Sequence, residues 1–448
     1  MSKIYDLTRS YRMGRLYVTW SFRHFYSKFI VLGKKNIPSE GPVVFGPNHL
    51  NALMDALVIL TATPKKLSNV FLARSDIFKN KTAAKILRFL KILPAFRMRD
   101  GIENLGKNNE TFAAAQEVLD EKNALCIMPD GSQGDPRKLR PMMKGLFRVA
   151  FSAQEKYGNA PGVNIIPVGL DYSDRVKFGA NVIVEFGNPI PVSEYMDLYK
   201  ENPAVAINEL RARFKKELHN ITVDLATETR YDCFEKVMEV SNTDAVRQLG
   251  LKNTEGDRLI ARRKIGEYLV RMENEEPDKM ETLDKAYAEY HREDVALHIP
   301  VSVQEKPWGA FKIIFGFLLL LLTLPVFVTG FILNMFPFFL PPFIRKKMGV
   351  KYDGFFSSFD YVLGGVILFP LFYLIQTVLF AIFSPTPWWV VPIFAVAQFF
   401  LGKLSYIWYT CAGKFVQNVR YCLLRLSKKK QIANLQKARK DIIALIQL

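Results

Sequence analysis

A histidine and an aspartate, His49 and Asp55, follow a short apolar run in this 448-residue chain. Residues 43–46 predict a buried strand that Pro47 would end, so His49 is expected on the loop leaving a strand end, where open α/β folds place their chemistry. A carboxylate bonded to one imidazole nitrogen leaves the other nitrogen free to take a proton from a hydroxyl. If a helix begins near residue 52, the pair predicts a general base and its orienting acid, although the spacing also occurs by chance.

Two arginines lie just past a second apolar run, within residues 92–101. Guanidinium groups bind phosphate oxygens in a bidentate geometry, so Arg97 and Arg99 are candidates for holding a phosphate. For Arg99, a surface ion pair with Asp100 is an equally good explanation.

A third apolar run, within residues 124–134, ends in a Pro-Asp-Gly turn at Asp130 and Gly131. A sharp turn exposes backbone N–H groups that can hold an anion, although Asp130 can also simply cap the turn. Four basic residues follow and can meet the same anion: Arg137, Lys138, Arg140 and Lys144.

The fourth run, residues 164–170, contains Pro167. A proline has no N–H for a central sheet ladder, so the run predicts an edge or irregular strand beside a cavity. Asn51 is expected to cap the helix that carries Asp55. The other four histidines have no suitable neighbours and are expected to be structural or solvated: His24, His219, His291 and His298.

These four segments, in this order, resemble the glycerophospholipid acyltransferase family, which includes glycerol-3-phosphate and 1-acylglycerol-3-phosphate acyltransferases. That family has the blocks N-H-x4-D, G-x-x-P-x-x-R, F-P-E-G-T-R and V-P-V. The corresponding stretches here are residues 48–55, 92–97, 128–133 and 166–168. The resemblance covers about residues 25–195 and implies an α/β acyltransferase domain with a mixed sheet flanked by helices.

The blocks depart from the family pattern at three positions. Asp55 lies one residue further from His49 than in the common form, as in the branch that contains certain membrane glycerol-3-phosphate acyltransferases. Asp130 stands where the family usually has Glu, and Gln133 where it usually has Arg. The loss of that arginine implies that another cation binds the phosphate, or that the acceptor is less anionic.

The resemblance implies acyl transfer without a covalent enzyme intermediate. His49 would be the general base on a glycerol hydroxyl, which attacks the thioester of acyl-CoA or acyl carrier protein. Asp55 would hold the imidazole and stabilise the imidazolium that forms. No cofactor is expected beyond the acyl thioester, which is a co-substrate.

The same resemblance implies the substrate-binding residues. Arg97, and with it Arg99, would position the acceptor's phosphate. Backbone N–H groups around Asp130 and Gly131 would stabilise the tetrahedral oxyanion. Three further residues are candidates for replacing the missing phosphate-binding arginine: Lys138, Arg140 and Lys144.

Other classes of site find little support in the sequence. Residues 130–134 superficially resemble a nucleophile elbow, but that motif needs Gly two residues before the Ser, where this chain has Asp130. The histidines and cysteines lack metal-ligand spacing, so no metal is expected. The sequence contains no Gly-rich phosphate loop and no dinucleotide fingerprint.

The chain carries 61 Lys and Arg against 43 Asp and Glu, which gives a net charge of +18. Most of that excess lies in residues 301–448, with 16 basic and 4 acidic side chains. Basic residues beside apolar segments indicate an anionic membrane surface rather than nucleic acid. The four cysteines form no paired framework, which is typical of a reducing compartment.

The segments beside the catalytic region, residues 33–195, indicate a membrane. Residues 1–32 lack the apolar core of a cleavable signal peptide and alternate aromatic with basic residues. That pattern predicts an interfacial amphipathic helix, and a helix packed on the domain explains it nearly as well. Residues 196–305 are charged, with an apolar stripe at helical spacing over 207–225, and predict a helical accessory region.

Residues 306–448 predict a membrane anchor with a basic tail. Stretches 361–383 and 388–409 are each long enough for one crossing. Stretch 311–343 is too long for one comfortable helix and contains prolines, which predicts a hairpin or re-entrant pair. Such a hairpin keeps residues 345–347 and the basic tail on the side of the catalytic domain, as the positive-inside rule prefers, so that domain is expected on the cytoplasmic side.

The lead function is therefore acylation of 1-acylglycerol 3-phosphate in phospholipid biosynthesis, with glycerol 3-phosphate as the closest alternative acceptor. Another lysolipid, such as a lyso-aminolipid, stays open because Gln133 weakens the phosphate argument. A catalytically silent membrane scaffold is the non-enzyme alternative, which loss of His49 or Asp55 would have favoured. The expected partners are membrane lipids, the acyl thioester and a glycerophosphate-type acceptor.

Overall fold

The computed structural model of the chain describes residues 3–95, 107–131, 137–350 and 352–448. Contacts within the chain divide it into two compact units. Unit 1 is Met1–Asp224 with Lys351–Ser358, and unit 2 is Leu225–Val350 with Phe359–Leu448.

Unit 1 is built around a mixed sheet. Its described strands are β1 (Lys28–Leu32), β2 (Val43–Pro47), β3 (Asn69–Arg74), β4 (Ile92–Ala95), β5 (Ala124–Cys126), β6 (Asn164–Tyr172), β7 (Asn181–Phe186) and β8 (Ile190–Pro191). The order is β1-β7-β6-β2-β5-β3-β4, and β8 pairs with β6. β6 is antiparallel to β7 and β8, and the other pairs are parallel. Helices flank the sheet, so the predicted fold class is confirmed.

The helices of unit 1 close its core. They are α1 (Arg9–Phe25), α2 (Ala52–Ala62), α3 (Lys81–Phe89), α4 (Lys107–Asp120), α5 (Gly145–Gln154), α6 (Met196–Glu201) and α7 (Pro203–Ile221). Short 3-10 turns lie at Lys34–Asn36, Ser75–Phe78, Val192–Tyr195 and Asp353–Phe355. Val44, Leu125 and Ile165 of the sheet pack with Phe147 of α5 and Phe214 of α7. α7 buries most of the apolar stripe predicted from the sequence: Ile207, Leu210, Phe214 and Leu218.

The edge position predicted for Pro167 is wrong. β6 is a central strand, with β2 on one side and β7 and β8 on the other. The β7 pairing begins at Val168 and the β8 pairing ends at Ile165, so Pro167 lies in the gap between these partners. The missing N–H therefore leaves no ladder bond unmade, and the Pro167 carbonyl still accepts from the Gly187 N–H at 2.9 Å.

A buried arginine fixes the first helix to α2. Arg15 is 6% exposed and donates to the backbone carbonyls of residues 60, 63, 64, 65 and 67 at 2.9–3.4 Å. These carbonyls lie at and just beyond the C-terminal end of α2, where a helix has no donors of its own. The opposite face of α1 exposes Met13, Leu16 and Trp20. One face of α1 thus packs on the domain, and the other presents apolar side chains to the surroundings.

Replacing Arg15 with alanine is expected to destabilise unit 1 by about 3 kcal/mol, because several buried carbonyls lose their donor together. The measurement is the midpoint of thermal unfolding of the purified chain. Arg12→Ala is the matched control, since Arg12 lies on the same helix and is exposed. Equal midpoints for the two variants would contradict this role of Arg15.

Unit 2 is helical in the part that the structure describes. Its helices are α8 (Tyr231–Gln248), α9 (Glu255–Glu275), α10 (Pro277–Leu297), α11 (Val301–Glu305), α12 (Ala310–Lys347), α13 (Phe356–Asp360, which begins in unit 1), α14 (Phe369–Phe383), α15 (Val390–Ser427) and α16 (Lys429–Leu445). A π-helical stretch, Tyr361–Leu368, joins α13 to α14. α16 packs against α10 and α8. Among the described residues, three continuous helices are long and apolar enough to cross a membrane: Ala310–Lys347, Asp353–Phe383 and Val390–Ser427.

The hairpin predicted within 311–343 is wrong, because α12 continues through four prolines as one helix. A helical proline leaves the carbonyl four residues before it without its donor. For Pro337 that carbonyl belongs to Leu333, and the Gln376 side chain of α14 donates to it at 2.9 Å. A neighbouring helix thus satisfies the freed carbonyl, as membrane helices tolerate. With α12 as one continuous helix, the predicted placement of residues 345–347 on the side of the catalytic domain loses its basis.

Candidate active site

The loop after β2 is fixed to the neighbouring strand by Asn48. Its side-chain amide donates to the Leu170 carbonyl at 3.1 Å, and its side-chain oxygen accepts from the Leu170 N–H at 2.7 Å. The backbone N–H of Asn48 also donates to Val168 at 3.2 Å. His49, the next residue, therefore leaves the sheet at a defined position beside the end of β6.

Asp55 lies in the first turn of α2 and is completely buried. One carboxylate oxygen, Oδ2, accepts from His49 Nδ1 at 2.8 Å and from the backbone N–H groups of Leu50 at 2.8 Å and Asn51 at 2.7 Å. The other oxygen, Oδ1, accepts from the Tyr172 hydroxyl at 2.6 Å. The structure thus brings the predicted pair together and holds the carboxylate in one orientation.

The cap predicted for Asn51 is wrong. Its side chain makes no capping bond to α2 and instead donates to the Arg175 carbonyl at 2.9 Å. The Asp55 carboxylate, in the first turn, accepts the backbone N–H groups of the two residues that precede α2. The carboxylate that orients the histidine therefore also fixes the start of its own helix.

The His49 side chain is 18% exposed and lines a cleft. Since a carboxylate only accepts, Nδ1 carries the proton and Nε2 is left with its lone pair. Nε2 has no hydrogen-bond partner among the residues that the structure describes. Burial by itself lowers the pKa of His49, but the hydrogen bond and charge of Asp55, with the charge of Asp130, raise the pKa above its usual value.

Asp130 lies on the other side of His49. Its Oδ2 accepts from the His49 backbone N–H at 3.1 Å. Burial raises the pKa of the Asp130 carboxyl to about 6, against the opposing effects of His49. Gly131 follows in the left-handed region at φ +62°, and its N–H donates to the Met128 carbonyl at 3.3 Å. That N–H is engaged within the turn, so the oxyanion role suggested for Gly131 gains no support.

The cleft beside His49 is small and partly open to solvent. Its lining residues are Asn48, His49, Leu50, Asp130, Arg137, Lys138, Leu139, Arg140, Leu170, Asp171 and Val223. Lys138 and Arg140 are thus placed beside His49 as predicted from the sequence, whereas Lys144 is not among the lining residues. Arg97, Arg99 and Gln133 lie outside the described residues.

Arg137 was predicted only as one of four basic residues near an anion, whereas the structure fixes it in this cleft. Arg137 is 18% exposed and donates through Nε to Asp171 at 2.8 Å and through a terminal nitrogen to the Tyr172 carbonyl at 2.8 Å. Asp171 is 6% exposed, so this ion pair is largely buried. The position of its partners could have indicated this arginine. Asp171 and Tyr172 end β6 at the same sheet edge that carries His49.

His219 was predicted to have no suitable neighbour, but the structure gives it an acidic one. Its Nδ1 lies 3.2 Å from Asp224, which accepts from the Leu139 N–H at 2.9 Å. The His219 side chain is 44% exposed and is not among the residues that line the cleft. The described part of the chain therefore contains two histidine–aspartate pairs, and one of them faces the cleft.

The dyad and most of the mixed sheet lie within one stretch of the chain. Residues 28–171 match the family model described as Acyltransferase.

Among curated proteins, the chain is similar to two enzymes of Saccharomyces cerevisiae. Glycerol-3-phosphate O-acyltransferase 2 is 28% identical over 140 residues, which cover 31% of this chain and 18% of that protein. Glycerol-3-phosphate O-acyltransferase 1 is 31% identical over 110 residues, which cover 24% of this chain and 14% of that protein. The similarity thus spans less than a fifth of either relative.

Among solved structures, the chain is similar to the 1-acyl-sn-glycerophosphate acyltransferase of Thermotoga maritima. The match is 19% identical and covers 47% of this chain and 84% of that one, with a TM-score of 0.32. The family model and both yeast relatives thus agree on an acyltransferase domain as what this part of the chain is similar to.

Proposed function

We propose that this chain transfers a fatty acyl group from an acyl thioester to a hydroxyl of a glycerophosphate acceptor. The observation that carries the proposal is the His49–Asp55 contact of 2.8 Å, with His49 lining an open cleft. A dyad with a fully buried acid and an imidazole facing the cleft is suited to take a proton from a hydroxyl. The presence of both residues also argues against a catalytically silent scaffold.

In the proposed reaction, Nε2 of His49 removes the proton of the acceptor hydroxyl as its oxygen attacks the thioester carbonyl. The C–O bond forms, and the carbonyl oxygen becomes an oxyanion. When the intermediate collapses, the C–S bond breaks and the leaving thiolate takes the proton from the imidazolium. Asp55 stabilises that imidazolium, and a placed base of this kind contributes about 10²–10⁴-fold in rate.

Arg137, Lys138 and Arg140 supply the positive charge for the acceptor's phosphate. All three line the cleft with His49. Arg137 is the best placed, because Asp171 and the Tyr172 carbonyl fix its guanidinium in the cleft that His49 also lines. A fixed fork of this kind compensates for Gln133, which stands where the family usually has an arginine.

Glycerol 3-phosphate is the favoured acceptor. The longer spacing between His49 and Asp55 and the two relatives named glycerol-3-phosphate O-acyltransferases both support it. The lead acceptor from the sequence, 1-acylglycerol 3-phosphate, is the second candidate, because three apolar helices would hold the domain at a membrane where such a lipid resides. The acyl donor is acyl-CoA or acyl carrier protein.

The acceptor is tested by offering glycerol 3-phosphate, 1-acylglycerol 3-phosphate and phosphate-free glycerol separately to the detergent-purified chain and measuring thiol release. Arg137→Ala is expected to raise the KM for the phosphorylated acceptor by tenfold or more, with little change in the KM for the acyl donor. Arg148→Ala, an exposed arginine of α5, is the control. Equal rates with glycerol and glycerol 3-phosphate would show that the acceptor's phosphate is not recognised.

The raised pKa of His49 predicts how activity depends on pH. The base must be neutral, so kcat/KM is expected to rise with pH through an acidic limb above about 6.5, the ordinary value for imidazole. Asp130→Asn keeps an acceptor for the His49 N–H but removes a charge that raises this pKa, so the limb is expected to move to lower pH. Asp197→Asn, at an exposed carboxylate, is the control. A limb that stays in place in Asp130→Asn would contradict this role of Asp130.

The proposed location is a membrane, with the catalytic domain on the cytoplasmic side. Three apolar helices support the membrane assignment. All four cysteines are free, which fits a reducing compartment. The exposed apolar face of α1, flanked by Arg9 and Arg12, suits the headgroup region of the same membrane.

A further inference from the structure

Tyr172 extends the dyad by one buried group. It is the last residue of β6 and is 2% exposed. Its hydroxyl donates to Asp55 Oδ1 at 2.6 Å, while His49 bonds to the other oxygen of the same carboxylate. Within the described residues, the tyrosine hydroxyl is the sole hydrogen-bond donor to Oδ1.

We propose that Tyr172 is a positioning residue for acyl transfer, which orients Asp55 and moderates how strongly Asp55 holds the proton on His49. The proposal rests on the proposed function of the dyad. A hydroxyl that donates to a carboxylate draws negative charge toward itself, and in a buried setting this bond is short and strong. The imidazolium then meets a less basic partner, so the histidine returns its proton more readily to the leaving thiolate.

The hydroxyl remains a donor at every working pH. Burial, with the nearby charge of Asp55, holds the pKa of Tyr172 well above its usual value. The bond to Asp55 therefore does not titrate away in the range where His49 changes charge. The charged groups that shift the pKa of His49 are Asp55, Asp130 and Arg140. Tyr172 is hydrogen-bonded to Asp55.

A purely structural role would need the ring but not the hydroxyl. The Tyr172 ring packs against the ring of Tyr26, with centroids 6.1 Å apart, and phenylalanine would keep that packing. The positions of the two groups follow from the sheet, because β2 and β6 are parallel neighbours in the register Pro47 with Val168. Their carboxyl ends thus bring His49 and Tyr172 to one edge.

The test compares Tyr172→Phe with Tyr26→Phe, a matched loss of a buried tyrosine hydroxyl beside it. The full chain is labelled with ¹⁵N-histidine, and His49 is assigned among the five histidines with His49→Gln. In Tyr172→Phe the pKa of His49 is expected to rise by about half a unit to one unit, because Asp55 loses a donor. In parallel, kcat is expected to fall about tenfold, with the acceptor KM nearly unchanged. Tyr26→Phe should change neither quantity.

An unmoved His49 titration in Tyr172→Phe, or equal shifts in both variants, would overturn the proposal. The titration needs no turnover, so it decides the role of Tyr172 even if the chain proves inactive with every acceptor. Absence of turnover would count against the proposed function alone. A changed titration with unchanged kcat would restrict Tyr172 to the electrostatics of the dyad and overturn its part in the reaction.

Discussion

Replacing His49 with alanine is expected to lower kcat for acyl transfer about 10³-fold, with the KM values for both substrates nearly unchanged. The physical reason is the loss of the base, because His49 is the sole imidazole among the described residues that line the cleft. The measurement is thiol release that depends on the acceptor, with the purified chain in detergent.

His219→Ala is the matched control for this prediction. His219 also bonds to an aspartate, at 3.2 Å, but it is 44% exposed and does not line the cleft. Its loss should leave kcat within a factor of about two, as expected for a surface substitution. A His49→Ala chain that keeps the wild-type rate would show that the histidine is not the base.

Replacing Asp55 with asparagine is expected to lower kcat by about 10²–10⁴-fold. Asp55 accepts from His49 Nδ1, two backbone N–H groups and the Tyr172 hydroxyl. An asparagine amide has a single accepting oxygen, so it can serve only some of these donors and turns its N–H₂ toward the rest. The imidazole therefore loses both its orientation and the charge that stabilises its protonated form. The measurement is kcat at a pH above the acidic limb, where a change of pKa alone would have no effect.

Asp257→Asn separates this effect from a general loss of helix capping. Asp257 is a carboxylate in the first turn of α9 that accepts from the Thr254 N–H in a capping box, so it matches the backbone role of Asp55 without the histidine. Its substitution should lower the thermal midpoint slightly and leave kcat unchanged. Equal losses of kcat in both variants would assign the effect of Asp55 to folding.

The parts of the site that the sequence predicts well are local. His49 and Asp55 lie in one loop and the first turn of one helix, so a strand end and a spacing were enough to pair them. The partners that the sequence did not reveal come from distant strands. Asp130 is 81 residues and Tyr172 is 117 residues from its partner in the dyad, and only the strand order brings them to one edge.

The wrong predictions share a physical cause, which is that a local rule was overridden by a tertiary partner. Pro167 is tolerated in a central strand because its two antiparallel partners leave a gap there. Pro337 is tolerated inside α12 because Gln376 satisfies the carbonyl it frees. Asn51 does not cap α2 because its side chain bonds instead to the carbonyl of the distant Arg175.

The most direct test of the central claim is transfer of a radiolabelled acyl group from acyl-CoA to glycerol 3-phosphate by the detergent-purified full chain. The proposed function predicts that labelled acylglycerol phosphate forms only when the acceptor is present, with one free thiol released for each acyl group transferred. Product formation that persists in His49→Ala would contradict the proposed chemistry. A chain that forms no product from acyl-CoA or acyl carrier protein, with either glycerol 3-phosphate or 1-acylglycerol 3-phosphate, would contradict the proposed function and favour a membrane scaffold.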